Sequence, residues 1–404
     1  MRILWIAQWF PPDFGALPAR ITEMAQVWSA EGHEVTVLTA VPHHPLGEVP
    51  PQYRGRAVVR ERWGDVDVIR CWLLALPNKR MWQRTLCQVS FGATALLLGF
   101  WRVRRPDVVV VSSPPFFTVP AAWMIARLKR APFVFEVRDL WPAVFVEMGV
   151  MRRGFVYRLL ESMEEFFYRA AAKVVVVTRA FREDLQARGV DGKKIAVIPN
   201  GADLEIYGRA DAQPRFRDLL GGTGKFLVTF VGTHGMATGL EQILDAAEIL
   251  KDDPRFAFAF VGEGAEREKL MASARARGLH NVTFHPAVAK NDVPDVYASS
   301  DASIVCLKPV PFLDKFIPSK VFEILSSGTP VVAALGGEAG EIVREAGHVV
   351  VAPGDAQAIA RELRALIDDP ERRREMARRG REYVGEHFDR KKLARQYAEA
   401  LGNL

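Results

Sequence analysis

Short aliphatic runs alternate along this chain with longer stretches in which apolar residues recur at helical spacing. Ile3–Ala7, Val35–Leu38, Val108–Val111, Phe133–Val137 and Val174–Val177 are unbroken rather than alternating, the pattern of parallel strands buried on both faces. Between the first two, Ile21, Met24, Ala25 and Trp28 share one face of a helix that Gly32 ends. The rhythm restarts at Phe226–Val231, Phe256–Val261, Val282–His285, Ser303–Leu307, Val331–Ala334 and Val349–Val351. Two successive βα series predict an α/β protein of two doubly wound domains rather than one large barrel. The stretch Arg188–Gly224, rich in Gly, Asp and charge, reads as their linker. A last helix is expected over residues 372–401, with Tyr383, Phe388, Leu393 and Tyr397 along it.

Composition agrees with two cores: 404 residues, 49% hydrophobic and 25% charged, with no low-complexity segment. Cys71, Cys87 and Cys306 are unevenly spaced and form no C-x-x-C pair, which points to a reducing compartment and against a disulfide scaffold or a zinc site. The opening run breaks at Pro11-Pro12, too early for a signal peptide, so the cytoplasm is the expected location. The net charge of +6 is uneven. Residues 1 to 189 hold 25 Lys and Arg against 17 Asp and Glu, and the remainder 29 against 31. In the basic half, Arg80, Arg84, Arg102, Arg104 and Arg105 flank the apolar run Phe91–Trp101, which is too short to cross a bilayer. Two explanations stand: a surface for anionic lipid or a lipid-linked diphosphate, or a core helix with solvated arginines at its ends.

Ligands of doubly wound sheets bind beyond the carboxyl ends of the strands, so chemistry is sought in those loops. The richest is Phe312-Leu-Asp-Lys-Phe-Ile-Pro-Ser-Lys-Val-Phe-Glu323, which continues to Gly328. Ser319 is a candidate N-cap, Lys320 a point charge for a phosphate, and Glu323, a turn further on, an acceptor for neighbouring hydroxyls such as those of a ribose. A capped amphipathic helix with two surface charges would use the same letters. Phe230-Val-Gly-Thr-His-Gly-Met-Ala-Thr-Gly239 runs a strand into a glycine turn where backbone donors of Gly232, with Thr233 and His234, could cradle a phosphate. Gly262-Glu-Gly264 lacks the full G-x-G-x-x-G of a dinucleotide site. His43 and His44 are adjacent in an extended loop, a poor metal pair, though one could touch an acceptor. Asp65-Val-Asp67 matches D-x-D by letter only and reads as solvated surface.

The order of these motifs resembles the retaining family-4 glycosyltransferases. The likeness covers Ile3–Gly15, Gly32–Thr39, Ile198-Pro-Asn-Gly-Ala-Asp203, Phe322–Val332 and Val351–Asp355, while Glu136-Val-Arg-Asp-Leu-Trp-Pro142 and Pro318-Ser-Lys320 look like a narrower branch that builds bacterial surface polysaccharides and includes the N-acetylfucosamine transferases of O-antigen assembly. The resemblance implies a GT-B fold, two Rossmann-like domains facing a central cleft: residues 1–188 for the acceptor, 189–384 for the nucleotide sugar, and 385–404 as a helix returning to the first domain. It implies a UDP-linked, N-acetylated donor, a glycan or polyprenyl-diphosphate-linked acceptor, and no cofactor, bound metal or nucleic-acid partner. The protein would be peripheral at the inner face of the membrane. The loop with Gly15, leading to Arg20, would approach the donor diphosphate or the acceptor, and Arg20, His43, His44 and Arg84 would lie on the acceptor or membrane side.

Three departures from the family pattern matter. The loop 232–239 lacks the usual arginine and lysine, which leaves charge neutralisation to Lys320 with Lys315 or to an unseen ion. Lys315 occupies the first position of the family's E-x7-E, of which Glu323 is the second. Arg138 stands where many members have a histidine. An arginine cannot act as a base at neutral pH, so Asp139 becomes the expected polar group at the reacting centre with Arg138 in support; an Arg–Asp pair fixing the loop over Trp141-Pro142 is the alternative. A GT-B sugar-nucleotide epimerase or hydrolase, or a binding module without turnover, are the competing functions.

Overall fold

The computed structural model describes residues 1–13, 15–43, 47–77 and 80–404. The chain divides into two units, Met1–Pro199 with Lys391–Leu404, and Asn200–Arg390. The first break thus falls later than residue 188, because Ile195–Val197, inside the expected linker, pairs with Lys173–Val176 as an edge strand of the first sheet.

The first unit is an eight-stranded sheet of β1 (Arg2–Ile6), β2 (Glu34–Ala40), β3 (Val58–Trp63), β4 (Val66–Cys71), β5 (Val108–Ser113), β6 (Phe133–Val137), β7 (Lys173–Val176) and β8 (Ile195–Val197), in the order β3-β4-β2-β1-β5-β6-β7-β8. All neighbours are parallel except β3 and β4, a hairpin that the aliphatic pattern does not reveal because charges interrupt it. Arg60 donates to both carboxylate oxygens of Asp67 at 2.9 and 2.8 Å, so the second aspartate of Asp65-Val-Asp67 serves the hairpin.

One face of this sheet packs on helix Ala16–Ala30 and on Leu393, Ala394 and Tyr397 of the last helix. Trp5 stacks on Trp28 at 5.0 Å, and the Trp28 indole donates to the Ala394 carbonyl at 2.7 Å. The C-terminal segment is two helices, Pro370–His387 and Arg390–Gly402, rather than one. Between them Asp389 bridges to Ala202, and Phe388 packs on Phe322 at 4.6 Å, so pairing and packing interrupt the helical ladder. On the other face, Phe133 and Phe135 meet Phe167 and Tyr168 of helix Phe155–Ala170. Helix Met81–Thr94 continues through a π-helical turn, Ala95–Gly99. The apolar run is a core helix on one side, where Phe91, Ala95 and Gly99 are buried, whereas Leu97 and Trp101 are exposed on the other. No helix among the described residues is long and apolar enough to cross a membrane.

A buried polar chain ties the sheet to its loops. Trp5 Nε1 donates to Ser112 Oγ at 2.9 Å, Ser112 to Glu136 Oε2 at 2.6 Å, and Arg20 Nε to Glu136 Oε1 at 2.9 Å. The other guanidinium nitrogens of Arg20 donate to the carbonyls of Ile198 and Pro199, both at 2.9 Å. Arg20 is 1% exposed and fully engaged, which corrects the expectation that it faces acceptor or membrane.

The second unit has six parallel strands, β9 (Phe226–Val231), β10 (Phe256–Val261), β11 (Val282–His285), β12 (Ala302–Cys306), β13 (Val331–Ala334) and β14 (Val349–Val351), ordered β11-β10-β9-β12-β13-β14. They fall where the aliphatic runs place them, because strands buried on both faces leave an uninterrupted signal. Phe226 and Phe230 of β9 lie in register with Phe256 and Phe260 of β10 and fill one side of the core.

Replacing Arg20 with Met leaves the Glu136 carboxylate buried without its cation, a change that typically costs about 3–5 kcal/mol. Thermal unfolding of Arg20→Met should therefore start roughly 10 °C below the parent. An unchanged midpoint would show that the pair does not anchor the first unit.

Candidate functional site

Because all strands of the second unit are parallel, their C-terminal loops emerge at one end of its sheet. There β9 runs into Gly232-Thr-His234 and β10 into Gly262-Glu-Gly264, and the two turns interlock. Gly232 N–H donates to the Val261 carbonyl at 2.9 Å, His234 N–H to Glu263 at 2.8 Å, and Glu266 N–H to His234 at 3.0 Å. A Cβ on Gly262 would collide with the Gly232 carbonyl, so this glycine is required by packing against the neighbouring turn.

Gly232 has φ +130, and a Cβ there would lie 2.8 Å from Lys320 Nζ. That ammonium stands 3.8 Å from the centre of the Phe230 ring and has no hydrogen-bond partner although it is buried. Burial pulls its pKa down to about 8, opposed by Cys306 and Glu323. His234 is buried with both ring nitrogens unpartnered, and burial, then Arg267 and Lys320, pull its pKa to about 4. It is neutral at pH 7, one nitrogen able to donate and the other to accept. Arg267 was not anticipated from the sequence. It opens helix Arg267–Ala276, three residues beyond Gly264, and is held only loosely, with Nε 3.7 Å from Glu263 and Nη1 3.3 Å from Met271 Sδ. A basic residue in the first turn after a glycine loop was the available signal. It supplies positive charge near the loop 232–239, which carries none.

Lys320 begins helix Lys320–Ser327, which ends at Gly328 with φ 73. Ser319 occupies the N-cap position but is itself helical and makes no side-chain cap, which corrects its assignment as a capping residue. Glu323 is half-buried one turn beyond Lys320, near enough to Tyr297 to raise that phenol's pKa after burial has done so. Thr233 is exposed. Lys315 ends the short turn Pro311–Lys315, its ammonium 5.4 Å from the Phe312 ring centre. The structure thus groups Gly232, His234 and Lys320, and adds Arg267.

The first unit holds a separate cavity of about 330 Å³ whose lining includes Gln8, His43, Arg84, Asp139, Phe116 and Trp141. Three residues singled out from the sequence, His43, Arg84 and Asp139, therefore share one space. Asp139 follows β6; burial lifts its pKa to about 6 against the pull of Arg138. Arg138 is fixed through its backbone, whose N–H donates to Ser113 at 2.9 Å, and Trp141 stacks on Phe116 at 4.2 Å. His43 Nδ1 lies 2.9 Å from the Val41 carbonyl, an obligate acceptor, so that nitrogen carries the proton and Nε2 accepts from the Gln8 amide at 3.2 Å. Gly15 opens helix Ala16–Ala30 with φ 137 and is not among the cavity's lining residues. His44 lies outside the described residues.

Comparison with known proteins decides the class. Residues 15–201 match the glycosyl transferase 4-like domain and residues 213–383 match glycosyl transferases group 1, so the two family models together span most of the chain. The chain is a GT-B glycosyltransferase. Among its relatives, Escherichia coli WcaI, named as a colanic acid biosynthesis glycosyl transferase, is 27% identical over 81% of this chain and 82% of its own length. Pseudomonas aeruginosa WbjE, named as a glycosyltransferase, is 26% identical over 69% of this chain and 70% of its own. In fold, the transferase resembles Anabaena HepE, solved in complex with UDP and glucose, with a TM-score of 0.74 at 19% identity over the whole of both chains.

Lys320→Ala should weaken a nucleoside diphosphate by roughly 10- to 100-fold, the worth of one charge-assisted bond, and leave the nucleoside alone nearly unaffected. Calorimetry with both ligands measures this. Equal losses would place Lys320 away from the phosphates.

Proposed function

We propose that this transferase moves a hexose, with retention of anomeric configuration, from a UDP-linked and N-acetylated donor to a glycan or polyprenyl-diphosphate-linked acceptor in bacterial surface polysaccharide synthesis. The observation that carries the donor half is the buried Lys320 ammonium, which has no hydrogen-bond partner where it meets the Gly232 turn. A cation left so is stabilised by an anion, and a diphosphate suits the positive charge that Lys320 and Arg267 bring to His234. Glu323, one turn along the same helix, would take the ribose hydroxyls. The acceptor would occupy the cavity of the first unit, with Asp139 as the carboxylate nearest the accepting hydroxyl and Trp141 and Phe116 as an apolar wall for a sugar ring or lipid.

Incubation of the protein with labelled UDP-sugars, with and without bacterial membrane lipid extract, tests the reading. A product that forms only with the extract is expected, whereas conversion of the donor without it would favour an epimerase or hydrolase.

Two variants separate the half-sites. Glu323→Gln should weaken donor and free UDP alike, by about 1.5–3 kcal/mol, since a neutral amide loses the charge-assisted bond; an unaltered UDP affinity would remove Glu323 from the site. Asp139 with a pKa of about 6 is ionised above that pH and protonated below it, so transfer at saturating donor should fall as pH drops through 6. Asp139→Asn should abolish that limb and slow turnover without changing UDP binding, and an intact acid limb in the variant would exclude the assignment.

A further inference from the structure

The layer of helices on the β5–β6 side of the first sheet, opposite helix Ala16–Ala30, is apolar on its outside as well as its inside. Helix Met81–Thr94 with its π-helical turn packs beside helix Val119–Lys129, which meets helix Phe155–Ala170 through Trp123 and Phe166 at 5.3 Å. Outward from this layer stand Trp82, Leu97, Trp101, Leu128, Phe155 and Leu159; Trp101 is 79% and Phe155 81% exposed. An outer helix of a soluble domain normally turns polar residues to water, and an apolar area spread over three adjacent helices marks a binding surface.

Charge identifies the occupant. The segments 80–105, 116–131 and 148–170, which supply this face and its edges, contain twelve Lys and Arg against three Glu, of which Glu164 and Glu165 pair with Arg188 and Arg169. Arg102, Arg104, Arg105, Arg127, Arg152 and Arg153 are all exposed. A second copy of the chain laid on this face would set like charges together. An anionic bilayer offers both an apolar interior for the aromatic side chains and negative headgroups for the arginines.

We propose that this three-helix face docks the enzyme on an anionic lipid bilayer. The helix Met81–Thr94 faces two ways: Met81, Arg84 and Thr85 line the cavity of the first unit, while Trp82 and Leu86 are exposed. Docking therefore sets the mouth of that cavity at the lipid surface, where an acceptor carried on a lipid can enter from the membrane plane. This consequence rests on the acceptor reading above; the docking itself does not.

The test uses the full chain with extruded vesicles of phosphatidylcholine alone or mixed with phosphatidylglycerol, at low and high salt, read by sedimentation and by quenching of tryptophan emission with brominated lipid. Binding to the anionic vesicles, quenching there, and about a tenfold or greater loss of binding at high salt are expected. The triple variant Leu97→Ser, Trp101→Ser, Phe155→Ser should bind at least tenfold more weakly. A second variant, with Arg102, Arg104, Arg105, Arg152 and Arg153 changed to Gln, should lose the preference for anionic lipid. Retention of the UDP-induced thermal shift shows that each variant is folded and keeps failure of docking distinct from failure of the donor site. The proposal is overturned if the parent stays in the supernatant with anionic vesicles at low salt, or if the triple variant binds as the parent does. It is equally overturned if the face instead mediates a concentration-dependent dimer that the triple variant abolishes.

Discussion

A buried ammonium without a hydrogen-bond partner is costly, and the second unit is arranged around one. Lys320 is held over the Phe230 ring by the start of its helix, and only a glycine at 232 leaves room for it. The aromatic face offsets part of the desolvation, yet three N–H donors remain unused. The Gly262-Glu-Gly264 turn follows from the same constraint, since it fixes the position of the Gly232 turn and brings Arg267 beside His234. Burial first, and then the positive charge of Arg267 and Lys320, keep His234 neutral, and that charge leaves the site prepared for an anion before one arrives.

The first unit has the opposite economy: among the described residues, buried Arg20, Arg70 and Glu164 each have a charged partner. Arg20, Glu136 and Ser112 form a closed chain that joins the first helix, two central strands and the segment at 198–199. Its role is to hold the loops after β1 and β6 at fixed positions, and those loops bring Gln8 and Asp139 to one cavity, where His43 joins them from the loop after β2. Asp139 is the exception, a carboxyl raised by burial and only partly compensated by Arg138. A carboxyl whose pKa is shifted in this way beside a cavity is characteristic of functional positions.

Much of this was legible in the sequence. The six strands of the second sheet were visible because parallel, doubly covered strands are unbroken aliphatic runs, and Lys320, Glu323 and Gly232 were visible because they sit on a helix start and a glycine turn. What the letters concealed has physical causes. The β3–β4 hairpin carries charges on its outer positions, and β8 is too short to rise above the loop around it. Arg20 near a glycine loop looks the same whether it points to a ligand or to Glu136, and only burial distinguishes the two. Ser319 has the composition of a cap without its backbone angles. Arg267 belongs to the site through three-dimensional proximity to His234, of which its place in the first turn after a glycine loop is only a weak local sign.

The central claim is that the Lys320 ammonium receives the diphosphate. At pH 8 about half of the free enzyme should have this group deprotonated, and an incoming diphosphate should restore its proton. Calorimetry of UDP binding at that pH, in buffers of different ionisation enthalpy, measures the proton exchange directly. The account predicts uptake of a substantial fraction of a proton per UDP, with affinity weakening as pH rises beyond 8. Heat independent of the buffer, together with an affinity that stays constant from neutral to alkaline pH, would contradict it.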